Sequence, residues 1–393
     1  MKKGWRVLYL MIAVPILAML ALAGYWQTEL PDRFLLACGD SITLPGRVRA
    51  VIREAAPPKA GAACSAELML PFGVPVKTVT VELVDRESVL VSGRPFGIKM
   101  FTDGLIVVGM SDISQNGKRQ NPGKDAGLKT GDILLSLDGV PLKTNEQFGR
   151  LVEGSGGKRL LLRYKRNGRP QKTWLDPVMN PADGKYHIGV WVRDSSAGIG
   201  TVTYFDPKNR TFAGLGHPVC DVDTGEMLEL STGEAVEAAI VSCTKSRSGT
   251  PGELRGRFQG GSEFAALSGN TPCGVYGTLS EGFYPEGRAV PVALAHEIKP
   301  GRAVMLTTVE GETPREFAVE IEKIFHTGAN GRNMILHITD EALLQKTGGI
   351  CQGMSGSPIL QNGKLVGAVT HVLVNDPTRG YGIFIEKMLE ATG

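Results

Sequence analysis

The hydrophobic pattern changes character three times along the chain. From Val7 to Gly24 it is unbroken: eighteen residues without a charge, preceded by Lys2, Lys3 and Arg6. A run of that length can cross a bilayer, and basic residues before it with Glu29 and Asp32 after it predict a cytoplasmic N-terminus. Residues 1–30 therefore read as a signal-anchor, with everything downstream outside. Ala21-Leu22-Ala23 fits the alternative, a cleaved signal peptide. Residues 31–92 hold a linker around Ala55-Ala56-Pro57-Pro58, then near two-residue spacing at Val76, Val79, Val81 and Leu83, which predicts short strands.

Between 93 and 178 strand and helix signals alternate. Gly104–Gly109 is an apolar strand, and 125–132 predicts a short helix with a tight turn before the strand Ile133–Leu137. Asp138-Gly139 is a hairpin turn. Thr144 and Gln147 have capping-box spacing before a helix whose apolar face carries Phe148, Leu151 and Val152. Strand 158–166 reverses at Asn167-Gly168 toward Trp174. From 185 to 393 the chain turns to short strands between glycines, including 198–206 and 211–214, and closes with a helix at 385–391. That spacing over about 200 residues predicts a barrel or a pair of barrels, hence a mainly β protein.

Composition narrows the function. With 43 Lys+Arg against 40 Asp+Glu the net charge is +3, and no basic run is interleaved with aromatics, so nucleic acid is not an expected partner. The six cysteines, Cys38, Cys64, Cys220, Cys243, Cys273 and Cys351, lack CxxC spacing, so neither a metal site nor a cofactor is expected. An exported chain allows them to pair.

The candidate chemistry lies in Gly353-Met354-Ser355-Gly356-Ser357-Pro358. A serine framed by glycines can stand on a tight turn, where the amides of Gly353 and Ser355 could hold an oxyanion. Serine needs a base, and six histidines are available: His187, His217, His296, His326, His337 and His371. His217 stands out because Gly214-Leu215-Gly216-His217-Pro218 is a glycine-bounded turn. His371, in the apolar strand after the serine, reads as structural. For the orienting acid, Asp340, Asp221 and Asp223 all remain open on motif grounds. Cys351 is a distant rival nucleophile, since it lacks the glycine frame.

Two resemblances sharpen this reading. The run 125–139, with the apolar strand before it and the capped helix after it, resembles a PDZ domain of the kind attached to bacterial peptidases. That resemblance implies an extended peptide added beside Gly104–Gly109, touching Leu105, Ile106, Val107, Phe148 and Val152. The segments 193–201, 214–218 and 347–389, with the PDZ domain and the membrane segment, closely resemble the stage IV B sporulation peptidase family of endospore-forming bacteria. The family implies a chymotrypsin-like β-barrel serine peptidase domain at 185–393. Its catalytic residues carry over as Ser355, His217 and Asp340, although Asp340 precedes the serine far more closely than in trypsin-like barrels, which leaves Asp221 in reserve. Met354 stands where trypsin-like enzymes place an aspartate that pairs with a new N-terminus. The family also implies self-cleavage, and cleavage of the extracytoplasmic domain of a membrane-bound regulator of an intramembrane metalloprotease that processes a late sigma factor. The place would be the forespore membrane, facing the space toward the mother cell. The rival reading is a non-catalytic PDZ adaptor that binds and regulates a membrane complex.

Overall fold

The computed structural model describes residues 2–38, 42, 44, 48–52, 61–115, 117–328 and 331–392; the side chains of 2–10, 12, 52, 115, 261 and 262 are outside that description. The linker expected at 55–58 lies outside the described residues. The chain opens with helix α1 (Lys2–Glu29), which contains the apolar run. Among the described residues no helix is long and apolar enough to cross a membrane, and part of the expected segment, the side chains of 7–10 and 12, lies outside them.

A small sheet follows, built from β1 (Arg33–Ala37), β2 (Arg49–Ile52), β3 (Ala63–Leu70) and β4 (Val74–Val84) in the order β1-β4-β3-β2. Its buried face alternates along β3 (Cys64, Ala66, Leu68, Leu70) and receives Val76, Val79 and Val81 from β4. This is the two-residue period seen in the sequence.

The next two strands organise the rest. After β5 (Ser88–Val91) comes the long β6 (Pro95–Met110). Its second half begins a PDZ fold with β7 (Ile113–Gln115), β8 (Lys118–Gln120), α2 (Pro122–Asp125), β9 (Ile133–Leu137), β10 (Val140–Pro141), α3 (Asn145–Gly154), β11 (Leu160–Arg166) and β12 (Arg169–Leu175). Its core gathers Leu105, Leu134, Leu162 and Leu175, each fully buried, under Phe148 and Val152 of α3. Thr144 caps α3 through Gln147 N–H (3.1 Å), while the Gln147 side chain receives Lys143 N–H. The short helix sits earlier than 125–132. Asn121 caps it and Pro122 takes its first position, a start signal that outweighs the Asp-Ala-Gly run.

After β13 (Val178–Asn180) and β14 (Lys185–His187) the chain returns along β15 (Val190–Asp206), which runs antiparallel to β6 over nearly its full length. With β16 (Thr211–Gly214), β17 (Thr232–Thr244), β18 (Gly252–Thr271) and β19 (Gly274–Leu279), the pairings β6–β17–β18–β19–β16–β15–β6 close a six-stranded ring. Phe96, Phe205, Phe212 and Phe264 meet edge to face inside it, with centroids 5.2–6.2 Å apart. Fully burying one such ring is worth about 1.5–3 kcal/mol.

This corrects the expected boundary at 93. Phe96–Phe101 belongs to the first barrel, pairing with Glu237–Thr232 of β17, so the PDZ domain is an insertion inside that barrel. The cause is that one strand contributes to two cores, which periodicity alone does not reveal.

Beyond β20 (Arg288–Pro291) lies a second closed barrel: β21 (Gly301–Thr307), β22 (Arg315–Ile324), β23 (Met334–Ile338), β25 (Pro358–Gln361), β26 (Lys364–Val372) and β27 (Arg379–Phe384). Helix α4 (Glu341–Thr347) and the short β24 (Cys351–Gln352) lead from β23 to the serine turn, and α5 (Ile385–Glu390) ends the chain close to the predicted helix.

Candidate active site

The serine turn sits at the seam of the two barrels, after β24 and before β25. Met354 is fully buried in the second barrel's core, which explains an apolar residue at that position. Three hydrogen bonds from β15 of the first barrel fix the turn. Thr201 Oγ1 donates to the Gly353 carbonyl (2.8 Å), Thr201 N–H to the Ser355 carbonyl (3.0 Å), and Thr203 Oγ1 to the Gly356 carbonyl (2.7 Å). Gly353 and Gly356 have φ of +96° and +92°, the left-handed region that favours glycine. The amides of Met354, Gly356 and Ser357 donate to the carbonyls of Cys351, Val369 and Met354. Among the described residues that of Ser355 has no acceptor, as an oxyanion donor requires.

The Ser355 hydroxyl donates to the Thr370 carbonyl (2.8 Å). Its cleft, about 630 Å³, is also lined by His217 and His371, with apolar walls that include Ile98, Ile199 and Val372. His217 follows two left-handed residues, Leu215 and Gly216 (φ +65° and +68°), which turn the chain out of β16. Its Nδ1 lies 2.8 Å from the Pro218 carbonyl. A carbonyl only accepts, so Nδ1 carries the proton and Nε2 is left with the lone pair a base needs. Burial lowers the His217 pKa from 6.5, and the Pro218 carbonyl opposes that in part. His371 lies ring to ring with His217, centroids 4.9 Å apart and tilted by 39°. Burial, then His217 and Arg332, bring its pKa down to about 4.

The expected acids are elsewhere. Asp340 is the N-cap of α4: Oδ1 accepts Leu343 N–H (2.9 Å) and Oδ2 accepts Ala318 N–H (3.4 Å). The local signal was present, since an aspartate directly before Glu-Ala-Leu-Leu reads as a helix start. Asp221 is buried and bound by Arg193 (2.9 Å) and by the amides of Asp223 and Thr224, while Asp223 pairs with Arg193 as well. Among the described residues no carboxylate contacts His217; the Pro218 carbonyl holds its tautomer. We expect Asp340→Asn, which keeps the cap, to retain cleavage within about threefold, and Asp340→Ala to lose about 1 kcal/mol of stability. Melting curves beside cleavage rates check this. Loss of cleavage in a fully folded Asp340→Asn protein would bring the carboxylate back into the chemistry.

The peptide groove of the PDZ domain also differs from expectation. Leu105 and Val107 are completely buried and Ile106 nearly so. Both edges of their strand are occupied, one by β9 and the other by Val190–Arg193 of β15. A ligand strand therefore has no place beside Gly104–Gly109. The open groove, about 680 Å³, lies between Phe148 and Val152 of α3 and Ile188–Val192, where Trp191 is 64% exposed. Gly189, at φ +70°, approaches the Ser111 carbonyl so closely that a Cβ would stand 2.6 Å from it. The sequence signal missed here is the apolar run Ile188–Val192, whose residues 190–192 pair directly beside the apolar strand.

All six cysteines are free thiols. Cys351 is buried, its sulfur 3.8 Å from that of Cys243, which excludes it as the exposed nucleophile.

The family model described as SpoIVB peptidase S55 matches residues 184–389, more than half of the chain. The chain belongs to the SpoIVB peptidase S55 family. It is a serine peptidase. A PDZ domain model matches residues 116–166. Curated relatives share only a short stretch with this S55 peptidase. The regulator of sigma-E protease RseP of Escherichia coli K12 is 34% identical over 73 residues, 19% of this chain and 16% of that protein. The chain thus spans about one sixth of the length of the curated relatives it matches. Among solved structures, the PDZ domain of the SdrC-like protein of Listeria monocytogenes is 20% identical, with 23% of this chain and 87% of that one covered and a TM-score of 0.19. The Rv3671c protease of M. tuberculosis in its active form is 15% identical, with 50% and 72% covered and a TM-score of 0.29.

Proposed function

We propose that this S55 peptidase is anchored by α1 and cuts the extracytoplasmic part of a membrane-bound regulator, and itself, in sporulation signalling. The observation that carries the chemistry is the meeting of Ser355, an open Ser355 amide and a correctly protonated His217 in one cleft. The Ser355 hydroxyl swings from the Thr370 carbonyl toward His217 Nε2, which takes its proton as Oγ bonds to the scissile carbonyl carbon. The resulting oxyanion rests on the Ser355 amide. The imidazolium then protonates the leaving amine, and water, deprotonated by the same nitrogen, hydrolyses the acyl-enzyme.

Three features support the setting. The uncharged run 7–24 behind Lys2, Lys3 and Arg6 suits an anchor with the bulk of the chain outside. The PDZ groove suits an extended peptide of a partner or of this chain. The local likeness to a protein named as a regulator of sigma-E protease suits a step upstream of intramembrane processing of a late sigma-factor precursor, at the forespore membrane. The test is the full chain in vesicles with the regulator's extracytoplasmic domain, wild type against Ser355→Ala, with products read by mass spectrometry. Equal fragmentation of the regulator by both proteins sinks the proposal.

The His217 shift has a direct consequence for pH. Because its folded pKa is below 6.5, the neutral, proton-accepting form persists as pH falls through that value. We expect the acid limb of kcat/KM below pH 6.5; an inflection above 6.5 contradicts a partly buried His217 as the base.

A further inference from the structure

His371 was expected to be structural, yet it is the ring that touches the catalytic imidazole. We propose that His371 is a positioning residue for His217. Packed against that imidazole, it holds Nε2 in line with Ser355 and keeps water from the ring, in the place of an orienting carboxylate. The inference rests on His217 being the base.

The need for such a residue follows from the contacts. The hydrogen bond from Nδ1 to the next residue's carbonyl fixes the tautomer but leaves the ring free to pivot about it. The carboxylates that could have supplied a second restraint are engaged in the α4 cap and with Arg193. What remains is a neighbouring imidazole 4.9 Å away, carried on β26 directly after Thr370, whose carbonyl parks the Ser355 hydroxyl. Nucleophile and positioning ring are thus set by adjacent residues of one strand. One edge of the ring is dry: His371 Nδ1 is buried with no hydrogen-bond partner.

Charge is consistent with this role. The titratable groups lining the cleft are His217, His371, Cys220 and Cys351, and Arg332 is the cation that acts on His371. With Arg332 and His217 beside it and burial around it, His371 stays neutral when His217 gains its proton. A second cation at this separation would repel the His217 imidazolium, so a neutral His371 is the state compatible with proton transfer.

The test is the pH dependence of kcat and KM for full-length wild type, His371→Phe and His371→Ala, each with a melting curve. His371→Phe keeps a ring against His217. It should lower kcat by less than about tenfold and leave the acid limb where wild type has it. His371→Ala admits water to His217. It should lower kcat by about 30- to 100-fold with little change in KM, and its acid limb should move up toward the ordinary imidazole value near 6.5. The proposal is overturned if the acid limb of His371→Ala does not move, whatever happens to kcat. It is equally overturned if folded His371→Phe is as inactive as His217→Ala, since a ring nitrogen and not a packed ring would then be required. Should His371→Ala fail to fold, the phenylalanine variant decides between these outcomes alone. Activity surviving Ser355→Ala would instead remove the serine mechanism beneath the proposal, a separate failure.

Discussion

Ser355→Ala should lower kcat/KM by at least about 10³-fold and leave the melting temperature almost unchanged. The size of the first effect follows from the chemistry: without Oγ there is no acyl-enzyme, and what survives is the contribution of binding and the oxyanion donor to direct attack by water. The smallness of the second follows from the structure. The Ser355 side chain makes one hydrogen bond, to the Thr370 carbonyl, and it lines an open cleft. Losing one such bond costs about 0.5–1.5 kcal/mol, and water can take its place. The main-chain bonds that hold the turn, from Thr201 and Thr203, do not depend on the hydroxyl. Cleavage assayed beside circular-dichroism melting separates the two effects. Residual cleavage within tenfold of wild type would assign the nucleophile elsewhere.

Gly356→Ala should be damaging in both respects. A Cβ at this position would stand 2.0 Å from the Thr201 carbonyl oxygen and 2.4 Å from the Leu215 amide nitrogen. Both are backbone atoms, one in β15, which holds the serine turn through hydrogen bonds, and one in the turn that leads to His217, so neither can swing aside as a side chain would. The φ of +92° adds strain that any L-residue bears. The expected cost is about 3 kcal/mol or more of stability. In molecules that still fold, the serine turn moves off β15 while Leu215 pushes the His217 turn the other way. A displacement near 1 Å is enough for a 100-fold loss in kcat/KM. Gly363 provides the control. Its φ is +76° but a Cβ there meets nothing within 4 Å, so Gly363→Ala should cost only about 1–2 kcal/mol and leave kcat/KM intact. Equal effects from the two substitutions would show that steric contact at Gly356 is not what excludes a side chain.

The sequence makes local features legible and long-range partners obscure. The Ser355 turn, the His217 turn, the capped α3 and the hairpin at Asn167-Gly168 all follow from residues within a few positions of one another, where glycine, proline and capping chemistry act. Ser355 and His217 do share a cleft. Asp340 was carried over by resemblance, while its own neighbours describe a helix cap, and the local reading is the one the structure shows. His371 sits in an apolar strand, and periodicity gives the face of a strand but not what the opposing barrel brings to that face. The same limit hid the double use of β6. The apolar residues of Pro95–Met110 mark a buried strand, and only the pairings with β17 and β9 show that they are buried in two different cores.

That double use bears on how the molecule comes to be assembled. The first barrel's opening strand leaves the ribosome well before its partners β15 and β17, and an open chain of that length pays entropy to bring its ends together. The PDZ fold lies inside the gap and has its own core, and it ends where β6 and β15 already run side by side, with Phe101 opposite Ser195. By forming first it would act as a staple, handing the barrel two strands in register before the rest has been synthesised. A peptidase shortened at either end therefore cannot shed its PDZ domain, because that domain is threaded through the enzyme instead of appended to it.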